Sequence, residues 1–193
     1  MSAQERSTEI LEIAQDKLAG FISVSDNDHR YIHKGQAFVV AGNTGSLSAG
    51  STYYAILTTP PASAEIFVHL RPTQLASTAN ILLMQVYEGP TVSNAGTGAS
   101  PVNLNRNRQG IIIPKATVSV GSTISADGTL IQQWAVGAGG SGSGNSGGSA
   151  GAGVERVLKP ATTYAFKFTN IGSTTATTGY YELFWYSEAR GQE

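Results

Sequence analysis

Thr163-Tyr164-Ala165-Phe166-Lys167-Phe168-Thr169-Asn170 is the stretch that decides the fold class. Rings at 164, 166 and 168 alternate with Ala165 and Lys167, the period of two that turns one face of a strand to a core and the other to water. Asn170-Ile171-Gly172 follows as a turn signal. Outward from this stretch, residues 36–41, 51–58, 65–70, 80–87, 117–120, 129–136, 154–158 and 179–186 are similar short runs rich in Val, Ile, Thr, Tyr and Phe. Gly42-Asn43-Thr44-Gly45, Pro60-Pro61, Glu88-Gly89-Pro90 and Asp127-Gly128 punctuate them. Asp127-Gly128, between Ile124 and Leu130, reads as a hairpin turn. Short strands without intervening helical periods predict an all-β sandwich, jelly roll or barrel over residues 21–193. In its core belong Tyr164, Phe166, Phe168, Phe184 and either Tyr181 or Tyr186.

Residues 1–20 read differently. Ser2 and Glu5 have capping-box spacing, Ile10, Ile13, Ala14 and Leu18 recur at helical spacing, and Gly20 is a stop. This predicts a short amphipathic N-terminal helix, an arm with Ile10, Ile13 and Leu18 as candidate partner contacts, since a lone helix of this length is marginal in water. Residues 137–153, GAGGSGSGNSGGSAGAG, lack side chains able to bury surface and predict a flexible loop inserted between strands.

Hydrophobic residues are 40% of the 193-residue chain, enough for a core, while charged residues are only 13% and the net charge is −1. No basic stripe suits nucleic acid, and no apolar stretch approaches the length of a membrane span. The chain has no cysteine, which removes disulfides and thiolate chemistry. Gly137 to Gly142 fits G-x-G-x-x-G and Gly144 to Gly148 fits G-x-S-x-G, but neither glycine tract opens a helix, so both are accidents of composition.

His29 and His33 stand four apart; the intervening Arg30-Tyr31-Ile32 reads as extended or loop-like, which separates the rings and disfavours a metal site with Asp26 and Asp28. His69 is isolated, and Glu65, Glu88, Glu155 and Glu182 are scattered singly, so no nucleophile–base or paired-carboxylate constellation emerges. The expectation is a protein without catalytic residues, metal or cofactor. Asn105-Arg106-Asn107-Arg108 is the most distinctive polar run, either bonded to its own domain or offering Arg106 and Arg108 to a neighbouring subunit. Trp134 and Trp185 are core residues or, if exposed with tyrosines, sugar-stacking platforms of a carbohydrate- or receptor-binding module.

Leu158-Lys159-Pro160, Thr163 to Asn170 and Glu182-Leu183-Phe184-Trp185-Tyr186 resemble the closing strands of jelly-roll virion proteins of tailed bacteriophages. Tyr87-Glu88-Gly89-Pro90-Thr91-Val92, Gly96-Thr97-Gly98 and Asn105 to Arg108 extend the likeness over roughly residues 30–188. The resemblance implies a jelly-roll capsid decoration (cement) protein on the exterior of the virion, or a related head or tail component, synthesised in the bacterial cytoplasm. Its implied partner is the major capsid protein of the head, contacted through a terminal arm, and its implied state is a homo-oligomer, a trimer by preference.

Overall fold

The computed structural model describes residues 27–64, 66–71, 74–107, 113–137, 146–149, 155–172 and 175–189. The predicted helix over 1–20 lies outside them. The first described element is a helix, α1 (Asn27–Lys34). This corrects the extended or loop-like reading of Arg30-Tyr31-Ile32: Tyr31 is buried, packed with Ala37 and Tyr186, and that contact outweighs a polar local sequence.

Among the described residues the regular elements after α1 are strands, apart from one 3₁₀ turn, Ala62–Ala64. All nine predicted strands are present, most with small shifts of boundary but β1 and β15 markedly longer than expected: β1 (Ala37–Leu47), β2 (Thr52–Thr58), β3 (Ile66–Leu70), β5 (Leu82–Glu88), β9 (Thr117–Val120), β11 (Thr129–Val136), β13 (Arg156–Leu158), β14 (Thr163–Asn170) and β15 (Thr177–Ala189). Six shorter strands complete the set: β4 (Gln74–Ser77), β6 (Thr91–Asn94), β7 (Thr97–Ala99), β8 (Val102–Asn103), β10 (Thr123–Ala126) and β12 (Ser146–Ser149). The last of these lies within the expected Gly/Ser loop and pairs with β4.

The strands form two main antiparallel sheets. One is ordered β12-β4-β15-β1-β8, with β3 alongside β15 and β13 alongside β3; the other is ordered β11-β5-β14-β2-β9-β7. One core lies between them. β1 and β15 send Phe38, Val40, Tyr181, Leu183 and Trp185 inward, and β5 and β14 send Leu82, Met84, Val86, Tyr164, Phe166 and Phe168 from the other side. Parity along β15 corrects one expectation: Tyr181 and Trp185 share a face, so Phe184 falls on the other and joins the small cluster around Tyr31 and Tyr186. Gly42 to Gly45 does not reverse the chain. β1 runs through it with a register shift between Asn43 and Ser46, and buried Thr44 Oγ1 accepts the Gly179 N–H at 2.9 Å.

Asp127-Gly128 is not a hairpin turn either. β10 pairs with β6 and β11 with β5, so the two segments continue one antiparallel ribbon that bends where Gly89-Pro90 faces Asp127-Gly128. The ribbon bends again where Gly96 faces Gly121, and ends with β7 paired to β9. All four glycines have positive φ. Gly128 also needs to be small: a methyl group there would sit 2.4 Å from the Glu88 carbonyl oxygen. The ribbon leaves the six-stranded sheet beside β14 and rejoins it beside β2. Between β7 and β9, β8 pairs with β1 on the other sheet.

Candidate functional site

Among the described residues the densest group of titratable side chains lies on the outer face of the seven-stranded sheet. Register brings it together. His69 of β3 faces Tyr186 of β15 on one side and Val157 of β13 on the other, while Glu188 stands two residues beyond Tyr186 on the same face. Glu155 and Arg71 flank β13 and β3 with the same parity. The His69 ring stacks on Tyr186, centroids 4.5 Å apart, and Tyr186 stacks on Tyr31 of α1 at 4.1 Å.

Hydrogen bonds tie these rings to two carboxylates. His69 Nδ1 lies 2.5 Å from Glu155 Oε1, and the Tyr186 hydroxyl donates to the same oxygen at 2.5 Å. Arg71 Nη1 donates to Glu155 Oε2 at 3.3 Å. On the other side of the imidazole, His69 Nε2 is 3.3 Å from Glu188 Oε2, within ion-pair reach but without hydrogen-bond geometry. The Tyr31 hydroxyl donates to Glu188 Oε1. Burial pushes the Glu155 carboxyl up, but the bonds from Tyr186, His69 and Arg71 outweigh it and hold the group below the usual glutamate range.

Sequence reading missed this cluster. It treated His69 as isolated and Glu155 as solitary, and the fold corrects both, since residues 69, 155 and 188 are far apart in the chain and meet only through strand register. Chemically the group is closed. Each ring nitrogen faces a carboxylate, and the carboxylates accept from tyrosine or arginine. The adjacent hydroxyl, Ser187 Oγ, has the opposite strand parity and is buried without a partner. The two imidazole nitrogens point in opposite directions, so the two carboxylates do not converge on one metal position; among the described residues no group of three His, Cys, Asp or Glu could hold a metal ion.

Two further polar groups lie on the six-stranded sheet. Tyr54 donates to Asp127 Oδ1 at 3.1 Å and Lys167 Nζ donates to Asp127 Oδ2 at 2.6 Å, with the ammonium 5.7 Å from the ring centres of both Tyr54 and Tyr87. Nearby, Glu88 accepts from Lys159 at 2.6 Å and from the Tyr164 hydroxyl at 3.1 Å. Burial, with Glu88 adding to it, pushes the Tyr164 hydroxyl up to about 12. Both groups anchor the first ribbon corner to the sheet beneath it.

Of the candidate contact residues, Ile10, Ile13, Leu18 and Arg108 lie outside the described residues. Arg106 is exposed in the turn after β8. The neighbouring asparagines are bonded within their own domain: Asn103 Nδ2 donates to the Gly35 carbonyl at 2.7 Å and Asn105 Nδ2 to the His33 carbonyl at 2.9 Å. The loop is therefore held against the C-terminal end of α1, with Arg106 turned outward. Trp185 is fully buried, which removes it as a sugar platform, and Trp134 is half-buried against the core with its indole Nε1 enclosed. Among the described residues no helix is long and apolar enough to cross a membrane. No family model, curated protein or solved structure matches the chain.

Proposed function

We propose that the chain is a non-enzymatic structural protein of a tailed-phage particle, a capsid decoration protein with a jelly-roll body that binds the assembled head and bridges capsid subunits. The observation that carries the reading is the nesting of strand pairs. β1 pairs with β15, β2 with β14, β3 and β4 with β13 and β12, and β5 with β11. First meets last and each later pair lies inside the one before, divided between two packed sheets as in a rolled double-sheet fold. The sequence likeness of the closing strands to virion jelly rolls points the same way. A His69 cluster whose Nδ1 and two carboxylates are taken up by neighbouring side chains suits a rivet between strands and α1 better than a reaction centre.

In this reading the major capsid protein is the partner and the capsid exterior the location. Arg106, exposed in the turn after β8, and Arg108 are the loop residues that would contact it, and the 1–20 segment serves as the arm. Binding only to the assembled state would shift the equilibrium toward the intact shell. The test is to titrate the full chain, and a version lacking residues 1–20, onto phage heads that lack it. Saturable binding at a fixed ratio to the capsid subunit, with a raised disassembly temperature, is the expected result. Heads that ignore both proteins would overturn the reading.

A further inference from the structure

Among the described residues the edges of the two main sheets are unequal. β8 is two residues long, β7 three, β12 four and β13 three. β11 is eight residues long, Thr129-Leu130-Ile131-Gln132-Gln133-Trp134-Ala135-Val136, and contains neither a charge nor a proline. Natural sheets guard long edges with lysine, proline, brevity or a bulge, because a row of unpaired N–H and C=O groups is a template for another strand. Here the only such device is the register shift between Leu130 and Gln132, which leaves residues 132–136 in regular pairing with β5.

We propose that β11 pairs with β11 of a second copy of the chain, antiparallel about a two-fold axis through Trp134, joining two six-stranded sheets into one. Two observations select a second copy. With no charge along the strand, an identical strand brings no like-charge opposition. The inward side of the edge is unfinished: Ile131, Trp134 and Val136 pack on the core yet remain partly exposed, and the same side chains of a second copy would extend that apolar surface across the axis. Parity then fixes the axis. Opposed residues of antiparallel strands share a face, so the axis passes through a residue, and Trp134 is the midpoint of the regular stretch. Gln132, Trp134 and Val136 face inward opposite Val86, Met84 and Leu82, whereas Gln133 and Ala135 face solvent opposite Gln85 and Leu83. In the pair, Gln133 stands opposite Ala135 of the second copy.

That register sets the experiment. The full chain is expected to sediment as a dimer. Gln133→Lys with Ala135→Lys opposes two lysines on each side of the axis and is expected to yield a monomer with unchanged far-UV circular dichroism. Gln133→Lys with Ala135→Glu opposes lysine to glutamate and is expected to restore the dimer. Because the chain has no cysteine, Ala135→Cys gives a single reporter, and a bis-maleimide spanning the roughly 7–8 Å between diagonal neighbours is expected to link the two copies. A native chain that stays monomeric at high concentration overturns the proposal. So does a trimer insensitive to the two lysines, or a lysine–glutamate variant no more associated than the double-lysine one, as it would be if a different protein occupied this edge. The pairing does not depend on the particle reading: a dimer that ignores phage heads would keep one and remove the other.

Discussion

Tyr186 and Glu155 show how much one hydroxyl contributes when it sits among stacked rings. Tyr186→Phe keeps the ring between His69 and Tyr31 but removes a bond to a carboxylate, and is expected to cost about 1.5–3 kcal/mol by urea unfolding. The pH dependence has a defined sign. Glu155 titrates lower in the folded chain than the ordinary value of 4.5, so its stabilisation is complete above that value and is lost as pH falls through the lower folded one. Glu88 is also depressed, chiefly by its bond from Lys159, and acts in the same sense. Thermal midpoints measured on the acid side are therefore expected to fall less steeply in Glu155→Gln than in the parent. None of this was legible from the residues as a string. His69 looks solitary because Glu155, just before β13, and Glu188, on β15, reach it only through the pairing of those two strands with β3. Asn103 and Asn105 were partly legible: an amide-rich loop bonded to its own domain was one of two readings, and both side chains hold the end of α1.

Strands were the most readable elements, because a period of two over Tyr164, Phe166 and Phe168 survives any tertiary context. Pairing was not. Asp127-Gly128 has the chemistry of a reversal, and Gly128 does adopt φ +86, but the backbone it approaches is Glu88-Gly89 and not its own flanking strand. The two ribbon corners give a graded prediction. Gly121→Ala places a side chain in open space at φ +67 and is expected to cost about 1–2 kcal/mol, the strain of a left-handed residue. Gly128→Ala adds a collision with the Glu88 carbonyl and is expected to cost distinctly more, read as the difference in unfolding midpoints between the two variants. α1 escaped sequence reading for the opposite reason: Arg30-Tyr31-Ile32 has no helical signature strong enough to stand alone, and the stacking of Tyr31 on Tyr186 is a tertiary contact.

For the molecule as a whole, all-β architecture with one core was legible, and the deepest residues are those whose alternation was plain. Phe166→Ala, at a fully buried position, is expected to cost about 3–5 kcal/mol in the same unfolding assay. Of the excursion from Gly89 to Gly128 only β9 was legible, since its strands are two to four residues long and each finds its partner far along the chain. Its service is to lie along the outer sides of β1 and β2. Replacing it by a short turn that joins β5 directly to β11 is expected to give soluble aggregates in size-exclusion chromatography, because both strands would then be bare. The nested pairing also sets the order of events in time. Among the described strands β1 is the first made and β15 the last, so eleven residues of β1 wait without their longest partner until the strands between them have been laid down. Entropy of closure over that distance must be met before any of the pairing rewards it, so refolding is expected to be slow, on the order of milliseconds to seconds, with β15 docking late.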